Sequence, residues 1–407
     1  MIRIIRHTLA ALLLLAFAGC AEDTATSINL EARHFAIESS NPTPACMESV
    51  RLGLTAIDAQ GNRTDAALLD DIVRVEWDFG DGSKQVSDAG SAFRHQYAEE
   101  GNYTITVRVT LASGKTLTDT AFAQVAGRSI RYEMQHHDGK KVWIMAHRGR
   151  YEDMAEHGIP ENTVDAYLHC VELGCVEIIE TDVRTTKDRR LVVCHDNTTV
   201  KAANGGGFIK DMTLKQIQSF KLYDRLGNVT SYTFNTLEEV LLACRGKVWL
   251  KLDKIVDNDI DLVYEAVRKC GMLDQVLFYF SQAQNTDDDG DLVNTGPECV
   301  EKLNKRTPEA VLHPHSNSLA WLGTYDGKPN VGSFEVSTTY AMQPGHEVVK
   351  AMREKGYIVM TNLLDYDSQF TQGDTSVVDA FLGNDCNVIQ TDVCMTLDRY
   401  LKEKGRR

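Results

Sequence analysis

From about Ser129 to the C-terminus, short apolar runs alternate with amphipathic stretches, and this alternation constrains the fold more than any other feature of the sequence. Candidate strands are Val142–Ala146, Val176–Arg184, Leu191–His195, Lys247–Asp253, Gln275–Ser281, Ala310–His315, Ser333–Ser337, Tyr357–Thr361 and Asn387–Thr391. Helical stretches at Thr163–Leu173, Leu237–Cys244 and Asp259–Lys269 lie between several of them. Strands joined through helices pair in parallel, and about eight such units in roughly 250 residues predict an α/β chain closed into a (β/α)8 barrel. Nine runs is one too many. Only six residues separate Arg184 from Leu191, too few for a parallel crossover, so this pair is expected to be a hairpin turning around Lys187-Asp188-Arg189-Arg190.

Upstream, from about Leu30 to Val125, the period falls to two. Val73, Val75 and Trp77 alternate before a turn at Asp78-Phe79-Gly80-Asp81-Gly82, and Tyr103, Ile105, Val107 and Val109 alternate with Thr104, Thr106, Arg108 and Thr110. Such alternation, broken by turn residues, predicts a β-sandwich. The first twenty residues stand apart. Arg3 and Arg6 precede an apolar run from Thr8 to Phe17, too short to span a bilayer and read as the hydrophobic part of a signal peptide. The run ends in Phe17-Ala18-Gly19-Cys20, which resembles a bacterial lipoprotein signal. That resemblance implies lipidation at Cys20, export to the bacterial cell envelope and attachment to a membrane through the lipid. Ala21 after the cysteine implies the outer membrane. The plainer reading is a cleaved signal with a chance cysteine. The expected division is 1–19 signal, 20–29 tether, 30–127 sandwich and 128–407 barrel.

At about 100–200 residues per domain, 407 residues allow two or three domains. The net charge of −15 argues against a nucleic-acid partner, which needs a basic face. It leaves an anionic substrate open, because a metal ion or a few cations can reverse the field within one pocket. The ten cysteines show no CxxC pair and no zinc spacing. Cys175, Cys194 and Cys244 lie in or beside apolar runs and are expected to be buried thiols. A disulfide is permitted outside the cytoplasm, but the spacing selects none.

The polar residues of the barrel region gather at strand ends, where this fold collects its function. The first strand runs into His147-Arg148-Gly149, and Pro160-Glu161-Asn162-Thr163 opens a helix. Glu180 and Asp182 are two apart and share one face of their strand. The hairpin returns through Cys194-His195-Asp196, and a later strand ends Lys251-Leu252-Asp253-Lys254. A turn centred between Asp188 and Arg189 would set Asp182 opposite His195, with Cβ atoms about 5 Å apart.

Residues of about 141–400 resemble the glycerophosphodiester phosphodiesterase family in order and spacing. The resemblance rests on His147-Arg148-Gly149, Glu161-Asn162-Thr163, Glu180-x-Asp182, His195-Asp196, Thr236-Leu237-Glu238-Glu239-Val240 and Gln390-Thr391-Asp392. It implies a TIM-type barrel, a small phosphodiester substrate and a divalent cofactor, Ca2+ or Mg2+. Glu180, Asp182 and Asp253 would be the metal ligands, and His147 and His195 the catalytic base and acid, in an order left open. Arg148 and Lys254 would add positive charge at the phosphate, with Glu161 and Asn162 in support. Where the family carries Glu, Asp253 is one methylene shorter, which favours Ca2+ because it tolerates irregular ligand sets. Trp77 to Gly82, with His95-Gln96-Tyr97 and Gly101-Asn102-Tyr103, resembles a PKD domain, which implies an immunoglobulin-like sandwich acting as a spacer.

Each residue has a plainer alternative. A histidine at a strand end is often structural, and Glu161 could simply favour a helix N-terminus. Unpaired charges at Glu180 and Asp182 would be costly inside so apolar a strand. His313 and His315 are expected to be structural, and His136, His137, His157 and His346 to lie at the surface. Asn204-Gly205-Gly206-Gly207 reads as a flexible loop near the cleft. Two departures from the family bear on the leaving group: the long Gly149–Pro160 loop, and Met360 where an aromatic is common. The activity implied is hydrolysis of glycerophosphodiesters to glycerol phosphate and an alcohol. The alternatives are a phospholipase acting on lysophospholipid or sphingolipid head groups, and a catalytically silent surface binder.

Overall fold

The computed structural model describes residues 35–57, 62–64, 69–255, 260–280, 285–286, 292–294, 296–306, 310–328 and 330–407. Cys20, the signal and the tether therefore lie outside the described residues. Among the described residues, no helix is long and apolar enough to cross a membrane.

Seven antiparallel strands come first: β1 (Phe35–Ser39), β2 (Val50–Ala56), β3 (Ile72–Asp78), β4 (Lys84–Ser87), β5 (Phe93–His95), β6 (Gly101–Leu111) and β7 (Thr116–Val125). They form two sheets, β1-β2-β5 and β4-β3-β6-β7. Leu52, Val75, Trp77, Phe79, Tyr97 and Val107 fill the core between them. The Asp-Gly turn is structural. Asp78 accepts a hydrogen bond from the Gly80 amide, and Asp81 holds both Ser83 and the imidazole of His95. Gly80 has φ 81°, and a Cβ there would sit 2.7 Å from the Thr104 carbonyl oxygen. The alternation breaks at one point: a register shift between Ile72 and Arg74 leaves Val73 60% exposed instead of in the core.

A short helix, α1 (Ile130–Gln135), follows, capped by Ser129. The barrel strands are β8 (Trp143–Ala146), β9 (Ile178–Thr185), β11 (Trp249–Asp253), β12 (Val276–Phe280), β15 (Val311–Pro314), β16 (Ser333–Glu335), β17 (Ile358–Asn362) and β18 (Val388–Thr391). Between them lie the hairpin strand β10 (Leu191–Val193) and a separate two-stranded ribbon, β13 (Asn285–Thr286) with β14 (Leu292–Asn294). The barrel strands pair in parallel in the order β15-β12-β11-β9-β8-β18-β17-β16. Isolated parallel bridges from Leu312 to Val331 and from His315 to Glu335 bring the two edges together. The helices that matter for the site are α2 (Met154–His157), α3 (Val164–Glu172), α4 (Leu237–Cys244) and α5 (Cys394–Glu403).

Parity divides each strand between two cores. Ile179, Val183, Leu250 and Leu252 pack outward against the helices. Trp143, Ile178, Trp249, Leu277, Val311 and Val388 form the barrel floor, closed by Ile130 and Met134 of α1. Met360 also belongs to this buried cluster, with His313 Nε2 3.2 Å from its sulfur. The sandwich is tied to the same end. Arg245 donates to the Gln124 carbonyl at 2.9 Å, and the Trp249 indole donates to the Arg128 carbonyl at 2.7 Å.

The hairpin forms, but one residue out of the expected register. Val193 pairs with Val183 and Val192 with Arg184, and the Cys194 amide donates to Asp182, so Cys194 and not His195 lies opposite Asp182. The cause is the turn. Thr186 donates to Arg190 across three loop residues, with Arg189 left-handed at φ 58°, and this centres the turn on Asp188. Among the nine described cysteines there is no disulfide, and all but Cys46 are buried.

Candidate active site

The end of β8 turns sharply. Arg148 has φ 56° and Gly149 φ 70°, and a Cβ on Gly149 would lie 2.5 Å from the Tyr167 ring, so only glycine fits. This turn holds the His147 imidazole beside Asp392, just past β18, with Nδ1 2.9 Å from the carboxylate. Burial pushes the His147 pKa below its ordinary value, and the Asp392 charge only partly opposes it. A neutral ring donating from Nδ1 leaves Nε2 free to take a proton. Asp392 is itself fixed. Arg150 donates to it at 2.9 Å and Arg225 at 3.4 Å, while its amide donates to Asp367 at 2.8 Å. Burial would raise Asp392, but His147 and Arg150 outweigh it and hold the carboxyl below the usual range.

Three carboxylates converge beside this turn. Glu180 and Asp182 point inward from β9, and register places Asp253 of β11 beside Asp182. One carboxylate oxygen from each of the three lies within 4.8 Å of the others. The Arg148 amide donates to Glu180 at 3.1 Å, and the Asn162 side chain donates to Asp182 Oδ2 at 3.0 Å. Asn162 is oriented in turn by the Tyr167 hydroxyl at 2.9 Å. Asp182 Oδ1 is buried and has no hydrogen-bond partner among the described residues. Burial first, then Asp182 and Asp253, drive the Glu180 carboxyl well above the usual carboxylate range. A buried set of hard oxygen donors with one acceptor unpartnered fits Ca2+ or Mg2+.

A cavity of about 410 Å³ lies beside these groups, lined by Arg148, Arg150, Glu161, Asn162, His195 and Asp196 among others; it meets the triad through Arg148 and Asn162, and the three carboxylates themselves are not in its lining. Glu161 pairs with both Arg148 and Arg150. Burial opposes its charge, yet the two guanidinium groups hold it below the usual carboxylate range. It thus clamps two arginines, while Thr163 caps α3. His195 is bonded to Asp196 at 2.7 Å, and Arg184 donates to its carbonyl. Lys254, left-handed at φ 62°, donates its amide to Asp253 at 2.6 Å, and its ammonium lies 3.8 Å from the same carboxylate. In the glycine loop, Thr199 donates to the Gly205 carbonyl at 2.9 Å, and a Cβ on Gly206 would collide with Thr199.

The glycerophosphoryl diester phosphodiesterase family profile matches residues 147–388, and a PKD domain profile matches residues 51–126. The chain belongs to the glycerophosphoryl diester phosphodiesterase family. A glycerophosphodiester phosphodiesterase of Caldanaerobacter subterraneus subsp. tengcongensis is 45% identical over 78 residues, 19% of this chain and 30% of that protein. Glycerophosphodiester phosphodiesterase 1 of Homo sapiens is 25% identical over 197 residues, 48% of this chain and 55% of that protein. The match covers 30% and 44% of the lengths of two bacterial relatives, so each is spanned by less than half. A crystal structure of a glycerophosphoryl diester phosphodiesterase from Parabacteroides distasonis shares the fold at a TM-score of 0.55 and 20% identity, covering 69% of this chain and 94% of that one.

Within this glycerophosphoryl diester phosphodiesterase barrel stands a second ionic group that the sequence reading missed. Lys251 is buried beside Glu180 in register, with its ammonium 2.7 Å from Glu335 and 4.0 Å from the centre of the Tyr279 ring. Burial disfavours both charges, yet their pairing holds Glu335 at about 2 and keeps Lys251 above its ordinary value. His313 bonds Ser333 and is pushed down to about 3 by burial and by Lys251, so it stays neutral and structural. Strand parity could have flagged Lys251, two residues before Asp253. Glu335, Arg150 and Asp392 carried no local signal of the partners they meet.

Proposed function

We propose that this protein is a metal-dependent phosphodiesterase that hydrolyses glycerophosphodiesters to glycerol phosphate and an alcohol. The observation that carries the proposal is the triad of buried Glu180 and Asp182 with partly buried Asp253, with Asp182 Oδ1 unpartnered among the described residues, beside a cavity lined by Arg148 and His195. A divalent ion on this triad, Ca2+ or Mg2+, supplies Lewis-acid charge at a phosphate oxygen. Arg148, held by Glu161, faces the remaining non-bridging oxygens, and Lys254 adds to the local positive field. His147, kept neutral by burial and oriented by Asp392, takes a proton at Nε2 as general base. His195, paired with Asp196, delivers a proton to the leaving alcohol. Turnover of a panel of glycerophosphocholine, glycerophosphoinositol and lysophospholipid, with and without EDTA, tests this. Diester hydrolysis that survives metal removal would refute it.

The same proposal divides the chain into a signal at 1–19, a tether at 20–29, a sandwich at 30–127 that acts as spacer and a catalytic barrel at 128–407. It also places the mature protein in the bacterial envelope, anchored to the outer membrane through lipidated Cys20. Recovery of the wild type wholly in the soluble periplasmic fraction, unchanged by Cys20→Ala, would refute the anchor.

A further inference from the structure

The loop between Gly149 and Pro160 and the facing helix α3 bring together a second cluster of side chains of metal-ligating type. Asp153 and His157 lie four residues apart at the two ends of α2, and His169 comes from the last turn of α3. One ligand atom from each lies within 4.8 Å of the others. Asp153 Oδ1 is buried and has no hydrogen-bond partner among the described residues, which is a costly state for a carboxylate oxygen. Tyr151, fully buried beneath, supports both rings. It stacks on His169 with centroids 4.2 Å apart, and its hydroxyl lies 3.3 Å from His157 Nδ1. In the tautomer whose Nδ1–H donates to that phenol, Nε2 is left as a ligand, the arrangement outer partners give metal-binding histidines. The loop is anchored elsewhere too. The Thr396 amide donates to Glu152 at 2.7 Å, and the Cys394 thiol lies 3.7 Å from the Arg150 carbonyl.

We propose that Asp153, His157 and His169 form a second metal site that takes Zn2+, with water in the fourth position. Two imidazoles and one carboxylate suit a borderline ion, whereas the all-oxygen triad in the barrel suits Ca2+ or Mg2+. Tetrahedral Zn2+ with bonds of about 2.0–2.1 Å sets its ligands about 3.3 Å apart. His157 is exposed on its outer side, so a small shift of the ring that keeps its contact with Tyr151 would close the remaining gap. The ion would clip the loop to α3. That loop also carries Arg150, which grips Asp392 and Glu161, so the clip steadies the wall of the cavity without touching the substrate.

The test titrates Zn2+ into the full chain with the barrel triad saturated by Ca2+, reading stoichiometry by equilibrium dialysis and affinity by calorimetry. Wild type, His157→Ala and Asp153→Asn are compared after circular dichroism shows that each is folded. The wild type is expected to bind one Zn2+ that Ca2+ does not displace. Losses of outer partners cost about 10–100-fold in metal affinity, so loss of a ligand in either variant is expected to weaken binding by at least about 100-fold. Co2+ in the same site is expected to give the visible absorption of a tetrahedral centre, lost in His157→Ala. Equal Zn2+ binding in all three proteins, or Zn2+ binding that Ca2+ wholly displaces, would overturn the proposal and leave the histidines as an aromatic stack on Tyr151.

Discussion

Changing Asp392 to Asn tests how the barrel prepares His147. The carboxylate accepts from His147 Nδ1 at 2.9 Å and from Arg150 at 2.9 Å, and the two side chains of the His147 pair are only 13% and 16% exposed. Screening by water is therefore weak. A hydrogen bond to a charged group contributes about 1.5–3 kcal/mol, and at 1.4 kcal/mol per factor of ten its loss lowers kcat about 10–100-fold. The effect falls on kcat because the bond strengthens as the imidazole becomes positive in the transition state. The pH profile carries the sign. Burial already lowers His147, and Asp392 is the main group that opposes this. Without that charge the proton leaves more easily, so the acid limb of kcat/KM moves to lower pH even as the plateau falls. Steady-state kinetics across pH on a small soluble diester would measure both effects. An unchanged plateau, or an acid limb that moves to higher pH, would refute the argument.

Other perturbations follow from the same geometry. His147→Ala and His195→Ala should each lower kcat by about 10² or more while fold and metal binding survive, and near-normal turnover in either would remove that residue from the mechanism. Asp253→Asn should weaken metal affinity with partial rescue by added metal, Asp253→Glu should be tolerated, and Ca2+ should support activity at least as well as Mg2+; metal titrations check all three. Lys251→Met leaves Glu335 buried and unpaired, so denaturant unfolding should show a loss of about 3–5 kcal/mol, and adding Glu335→Gln should restore most of it. Glu335 is lowered to about 2 in the folded state, so its contribution should be full above the ordinary carboxylate range and fade as pH falls toward 2.

Local periodicity reads out what lies close along the chain. The alternation of strand and helix after Ser129 was enough to predict the barrel, and each predicted strand overlaps an observed one. The six-residue gap before Leu191 was enough to exclude a crossover there, and parity was enough to put Glu180 and Asp182 on one face of their strand, which closure of the barrel makes the inner one. These inferences hold because backbone reach and side-chain alternation are set by neighbours in sequence. The hairpin register was not legible, since it turns on whether a loop residue such as Arg189 adopts a left-handed conformation, and one residue's difference exchanges His195 for Cys194 opposite Asp182. Nor were the pairs His147 with Asp392, Arg150 with Glu161, or Lys251 with Glu335. The His147 pair spans β8 and β18, neighbours in the barrel but far apart in the chain, and Lys251 meets Glu335 across the barrel interior. Asp153, His157 and His169 likewise meet only because α2 and α3 fold onto Tyr151. Which charges face one another is decided by tertiary packing, because a buried carboxylate or ammonium must find its partner wherever closure of the sheet brings one.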